Sequence, residues 1–146
     1  MNSFQRIAIG IDFSPSSLYA LEIARTRFPG AALRLLHAVD IRATPALDPL
    51  GSLSPMALDP QLIDTVERGD AQKLAALLRP GEEHEQLLGD PVTSLLEAAR
   101  QWEADLLVVG THASTALEHF FLGSTAEKLV ARSRIPVLTV RFEGPA

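Results

Sequence analysis

Short apolar runs alternate with helical patterns along the chain, and this alternation constrains the fold more than any other feature. The run at 105–110, "DLLVVG", is apolar almost throughout, which is typical of a strand buried on both faces of a parallel sheet. Comparable runs lie at 6–12, 31–39, 83–89 and 136–142. Apolar residues at helical spacing occupy 15–28, 61–78, 91–102 and 124–133. We therefore predict five strands alternating with four helices.

Two of the helices carry clear start signals. Ser14 precedes Pro15 and Asp90 precedes Pro91, and a short polar cap followed by proline is typical of a helix N-terminus.

Strand–helix–strand units are right-handed, so the alternation predicts an α/β fold, a doubly wound parallel sheet with helices on both faces. Ligands of such sheets bind beyond the carboxyl ends of the strands, at the point where neighbouring strands send their helices to opposite faces.

The length of 146 residues favours a single domain spanning 1–146. Residues 43–60 carry four of the ten prolines of the chain and are predicted to be a Pro-rich loop. The helix at 61–78 contains Gly69, which weakens it.

Charge and composition exclude several classes of protein. The formal net charge is −5 at pH 7, so the chain gains nothing from attraction to a phosphate backbone, and no nucleic-acid partner is expected. No segment has the roughly 18 uninterrupted apolar residues of a membrane helix, and the N-terminus lacks the pattern of a signal peptide. The chain has no cysteine, which excludes disulfides and thiolate chemistry. We expect a cytoplasmic protein with no membrane partner.

Motifs for catalysis and metal binding are missing from the sequence. There is no P-loop, no G-x-G-x-x-G after the first strand and no G-x-S-x-G nucleophile motif. The histidines have no metal-ligand spacing, so they are interpreted as solvated or hydrogen-bonded; they are His37, His84, His112 and His119. No catalytic residue and no metal ligand is predicted.

The connection from Gly110 to Gly123 is longer than the roughly 2–6 residues usual between a strand and the next helix. A helix is predicted to begin near Ser124, where unpaired N–H groups and the helix dipole favour an anion. Gly123 allows a ligand to approach the backbone closely, and Ser124 and Thr125 add hydroxyl donors. The sequence therefore predicts an anion site, with phosphate as the anion.

Asp12 follows Gly10 and Ile11 at the end of the first strand. If the first and fourth strands are neighbours, Asp12 faces the same crevice as Gly110. Its carboxylate could accept hydrogen bonds from a ribose or an adenine amino group, or it could stabilise the turn into the first helix. Both interpretations stay open at this point.

Four segments together resemble the universal stress protein family: "RIAIGIDFSPSSLYALEIA", "LLHAVD", "GDPVTSLLEAARQWEADLLVVGTHA" and "LGSTAEKLVARSRIPVLTVR". The resemblance covers nearly the whole chain except 43–60 and the helix after it, a region that varies in the family. It implies a Rossmann-like fold of the adenine nucleotide alpha hydrolase-like type, with strand order 3-2-1-4-5. It also implies homodimers paired through the last strand, here 136–142.

The nucleotide-binding branch of that family carries G-x2-G-x9-G-[ST] after the fourth strand. Gly110, Gly123 and Ser124 match this motif at the right spacing, but Ala113 stands at the second glycine. Residues 114–119 contain no Lys or Arg and include Glu118, whose charge opposes a phosphate. Charge-assisted hydrogen bonds are about twice as strong as neutral ones, so weaker nucleotide binding and fewer phosphates are expected.

The resemblance implies a stress-response protein that binds an adenine nucleotide, with ATP as the first candidate, AMP and ADP as further ones, and Mg²⁺ as a possible companion. The implied binding residues are Gly10, Ile11, Asp12, Ala38, Gly110, Thr111, Ala113, Gly123, Ser124 and Thr125. Enzymatic activity is expected to be slow ATP hydrolysis at most. The alternatives are a dimeric interaction module of the same fold that binds no nucleotide, and an enzyme acting on another phosphorylated substrate.

Overall fold

The computed structural model describes residues 3–39, 46–47, 53–54, 60–112 and 124–142, and the statements below concern those residues. The strands are β1 Arg6–Gly10, β2 Ala32–Val39, β3 Ala46–Leu47, β4 Leu53–Ser54, β5 Glu83–Leu88, β6 Leu106–His112 and β7 Val137–Phe142. The helices are α1 Pro15–Arg27, α2 Pro60–Leu77, α3 Pro91–Gln101 and α4 Ser124–Arg132.

Five strands form one parallel sheet in the order β5-β2-β1-β6-β7. If the five strands of this sheet are numbered 1 to 5 in chain order, their spatial order is 3-2-1-4-5, so the expected strand order is confirmed. Ile9 of β1 lies opposite Leu35 of β2 on one side and Val108 of β6 on the other. The neighbours β1 and β6 lead to α1 and α4, which cover opposite faces, so their carboxyl ends form the switch point of the sheet.

Each face of the sheet has its own apolar core, because successive strand side chains point to opposite faces. One face packs against α1 and α2 and buries Ile7, Ile9, Leu35 and Val108. The other face packs against α3 and α4 and buries Ala8, Leu36, Leu107 and Val109. Helices therefore cover both faces, as the alternation of elements predicts.

Both helix starts marked by proline are confirmed. The side chain of Ser14 accepts a hydrogen bond from the Ser17 N–H, and the carboxylate of Asp90 accepts one from the Thr93 N–H at 2.9 Å. Each cap satisfies an N–H group that has no partner inside its helix.

Some element bounds differ from the sequence prediction. The first strand ends at Gly10 and not at residue 12, because the Asp12 N–H donates to Ser17 Oγ and Phe13 has a φ of 63°. The strand predicted at 105–110 continues to His112, because its pairing with β7 continues to Phe142. The 43–60 region contains the antiparallel pair of β3 and β4. Strands of two residues are too short for periodicity to reveal.

Candidate functional site

A cavity of about 390 Å³ opens at the switch point, between the carboxyl ends of β1 and β6. Eight of the ten predicted binding residues line it, namely Gly10, Ile11, Asp12, Ala38, Gly110, Thr111, Ser124 and Thr125. The other two, Ala113 and Gly123, lie outside the described residues. The structure thus brings together residues that are more than 110 positions apart in the chain, while their role as ligand contacts stays a prediction.

One wall of the cavity is apolar. It is formed by buried side chains of the sheet and of the two helices on its α3/α4 face, namely Leu36, Leu95, Val109 and Leu129. Ala38, at the end of β2, leaves room beside this wall because its side chain is a single methyl group. A flat apolar ring would bury its faces here, as the ligands of most small-molecule sites do.

The polar part of the cavity comes from helix starts and hydroxyl groups. Pro91 is the first residue of α3, and Ser124 and Thr125 are the first two residues of α4. First-turn N–H groups and the dipoles of these helices place partial positive charge at the cavity. Among the described lining residues, Asp12 is the one charged side chain. An anion in this cavity would therefore be held by N–H and hydroxyl donors.

Both lining glycines are tightly packed. A Cβ on Gly110 would lie 2.3 Å from the backbone oxygen of Ser16 and 2.8 Å from the Ser17 nitrogen, so the first turn of α1 occupies the space of any side chain. A Cβ on Gly10 would lie 3.1 Å from Cγ1 of Val109. Close packing of helix and sheet is thus a sufficient reason for glycine at position 110.

Asp12 stabilises the turn from β1 into α1. Its Oδ1 accepts hydrogen bonds from the Ser14 N–H at 2.9 Å and from the Ser14 hydroxyl. The Asp12 N–H donates to Ser17 Oγ at 3.3 Å. The structural role considered from the sequence is therefore present, and the carboxylate also borders the cavity, so a ligand role is compatible with it.

Sequence reasoning missed seven lining residues, namely Ser17, Leu36, Pro91, Leu95, Val109, Ala126 and Leu129. Pro91 carried a usable signal, because it begins a helix that follows a parallel strand and such helix starts lie at the carboxyl edge of the sheet.

The described residues contain no group of three His, Asp or Glu side chains that could hold a metal ion. Among the described helices, none is long and apolar enough to cross a membrane.

Comparison with protein families gives one match over nearly the whole chain. The model of the universal stress protein family matches residues 3–141. A universal stress protein of Thermus aquaticus is 32% identical over 140 residues, which cover 94% of this chain and 99% of that protein.

Solved structures agree with this match. The hypothetical protein MJ0577 superposes with a TM-score of 0.75 at 20% identity, covering 97% of this chain and 99% of the other, which shows the shared fold. A universal stress protein solved in complex with cAMP has a TM-score of 0.60 at 27% identity, covering 95% of this chain and 98% of the other.

Proposed function

This chain belongs to the universal stress protein family, and from that premise we propose that it binds an adenine nucleotide in the cavity between β1 and β6. The observation that carries the proposal is that eight of the ten predicted binding residues line one cavity of about 390 Å³. That volume lies within the range of small-molecule sites. The cAMP complex of the relative with 27% identity supports the same ligand class.

The adenine ring is proposed to lie against the apolar wall near Leu36 and Ala38. The phosphate is proposed to lie at the start of α4, where Ser124 and Thr125 supply hydroxyl and first-turn N–H donors. This arrangement leaves Asp12 beside the sugar, where its carboxylate can accept hydrogen bonds from hydroxyl groups.

Phosphates beyond the first are expected to add little to the nucleotide affinity. ATP is the ligand suggested by the sequence resemblance, but the described part of the cavity offers no Lys or Arg side chain to a second or third phosphate. Each added phosphate therefore gains neutral hydrogen bonds alone, which are about half as strong as charge-assisted ones. We therefore expect AMP and ADP to bind at least as tightly as ATP.

Thermal unfolding with and without each nucleotide tests the proposal. A ligand present at about 100 times its Kd adds about 2.7 kcal/mol to the free energy of unfolding. An unchanged Tm with AMP, ADP, ATP and cAMP at millimolar concentration would reject nucleotide binding and favour the interaction module without a nucleotide.

A charge at the start of α4 tests the location. Thr125→Asp is favourable for the helix dipole, so the fold is expected to persist, but its carboxylate repels phosphate and the nucleotide-induced rise in Tm is expected to disappear. Thr93→Asp is the matched control, since Thr93 is also exposed in the first turn of its helix, α3, and lies outside the cavity. An undiminished rise in Thr125→Asp would place the phosphate elsewhere.

We also propose a homodimer paired through the last strand. β7 is the final strand of the sheet order, and β6 is its one strand neighbour in the described part of the chain. An unpaired strand edge is a template for a second strand. Light scattering is expected to give twice the monomer mass, and a monomer mass at micromolar concentration would contradict the pairing. The cytoplasmic location stays a prediction.

A further inference from the structure

A buried histidine that pairs with an aspartate lies behind the cavity, on the α1/α2 face of the sheet. His37 of β2 is 7% exposed. Its Nδ1 is 2.7 Å from the backbone oxygen of Ile11, and its Nε2 is 2.9 Å from Oδ2 of Asp70 on α2. Ile11 itself lines the cavity. The imidazole therefore connects α2 to the segment of chain that leaves β1 towards the cavity.

Both partners of this imidazole are hydrogen-bond acceptors. A carbonyl oxygen accepts and never donates, and an ionised carboxylate is likewise an acceptor. A neutral imidazole carries one N–H, so it completes one of the two bonds and turns a lone pair towards the other oxygen. The imidazolium form carries two N–H groups and completes both. The observed arrangement is thus complete when His37 is protonated.

The turn held by His37 has an unusual backbone. Phe13 has a φ of 63°, a conformation that costs a residue with a side chain roughly 1–2 kcal/mol. Its ring packs on the His37 ring, with the two centroids 4.7 Å apart. Such a backbone persists where the surroundings determine it. His37 thus contacts Ile11 and Phe13, the residues immediately before and after Asp12 in the chain.

We propose that His37 and Asp70 are positioning residues that hold the Ile11–Asp12 segment in its ligand-binding shape and make nucleotide affinity fall as the pH rises. The inference rests on the proposed nucleotide site, because the segment is one border of that cavity. It goes beyond that site, because neither His37 nor Asp70 lines the cavity.

Among the residues that the structure describes, few charged groups lie near the imidazole. Lys73 of α2 places Nζ 5.7 Å from the centroid of the Phe13 ring, and the Asp12 carboxylate is directed to Ser14. On β5, Gln86 lies opposite His37 in the strand register and is uncharged. Asp70 is thus the charged group in direct contact with the ring.

The direction of the pH effect follows from which bond survives. When His37 loses a proton, the remaining N–H is expected to stay on Nε2, because a bond to a carboxylate is stronger than one to a carbonyl. The Nδ1 lone pair then faces the Ile11 oxygen, and the turn loses a bond. Binding must then hold the turn without this bond, so Kd is expected to be higher at pH 8.5 than at pH 6, by at most about tenfold.

Calorimetric titration with cAMP at pH 6 and pH 8.5 tests the inference. cAMP is the suitable probe, since nucleotides with a terminal phosphate titrate themselves near pH 6. Asp70→Asn is the diagnostic variant: its amide can donate to Nε2, so a neutral imidazole completes both bonds and the affinity is expected to become the same at both pH values. Asp64→Asn is the matched control. It removes one negative charge from α2 at an exposed position that pairs with Arg68, and it is expected to retain the wild-type pH dependence.

Equal wild-type affinity at both pH values overturns the positioning role and leaves nucleotide binding intact. A pH dependence that persists in Asp70→Asn overturns it as well. If cAMP does not bind, nitrogen NMR of the imidazole in the free protein provides the test. Two protonated ring nitrogens at pH 6, together with Ile11 and Phe13 amide shifts that change with the protonation of His37, support the coupling of His37 to the Ile11–Asp12 segment. A single protonated nitrogen at pH 6 refutes it.

Discussion

Replacing Gly110 with alanine tests the packing of α1 against the end of β6, beside the cavity. The new Cβ would lie 2.3 Å from the Ser16 oxygen and 2.4 Å from the Ser16 carbonyl carbon, both of them backbone atoms of α1. Carbon and oxygen in contact are usually well over 3 Å apart, so either α1 or the end of β6 must shift by about 1 Å. Inserting a carbon into a packed core costs roughly 1–3 kcal/mol, and a backbone neighbour places this change at the upper end, about 3 kcal/mol.

Gly10→Ala is the comparison for this prediction. Its Cβ would meet Cγ1 of Val109 at 3.1 Å and Cδ1 of Leu95 at 3.6 Å, and both atoms belong to side chains that can move. We expect a loss of about 1 kcal/mol there. Urea unfolding of the two variants at one temperature measures the difference in the free energy of unfolding. A Gly110→Ala loss no larger than that of Gly10→Ala would refute the close contact of α1 with β6.

Two further changes act on stability away from the cavity. Gly69→Ala is expected to raise the free energy of unfolding, measured with urea, by about 0.5–1 kcal/mol. Gly69 lies inside α2 with open space around its Cβ position, and glycine loses more entropy on folding than alanine. A loss of stability would show that α2 is packed differently. Burial would raise the pKa of Glu82, but hydrogen bonds from Arg25 and from the Arg79 N–H, with the charges of both residues, bring that pKa below its ordinary value. This carboxylate therefore stabilises the fold above about pH 4.5 and the stabilisation is lost as the pH falls further. Glu82→Gln is expected to cost about 1.5–3 kcal/mol at pH 7 and much less at pH 3, and a loss of equal size at both pH values would contradict the charged pair.

The elements of the sheet could be predicted from the sequence because their signals are local. Ser14 with Pro15 and Asp90 with Pro91 mark helix starts through the chemistry of the capping residue and its proline neighbour. The uninterrupted apolar run of β6 indicates burial on both faces. The strand order came from the family resemblance and not from these signals, since nothing local states which strands are neighbours.

The contact of His37 with Asp70 could not be predicted in the same way. The two residues are 33 positions apart, and their meeting depends on how α2 lies across the sheet. The helix at 61–78 follows a region that varies in the family, so neither periodicity nor resemblance fixes its orientation. The sequence therefore indicates only that His37, like the other three histidines, is solvated or hydrogen-bonded.

Gly110 shows why a motif match and a binding site are different statements. The glycine matches the first position of a nucleotide-binding motif, yet its missing side chain is already explained by the Ser16 oxygen of α1. Any member of this fold with the same approach of α1 to β6 needs glycine there, whether or not it binds a nucleotide. The match at Gly110 therefore supports the fold more than the ligand. Nucleotide binding and a role without a nucleotide must therefore be distinguished at residues whose identity the packing does not determine. The exposed Thr125 at the start of α4 is such a residue.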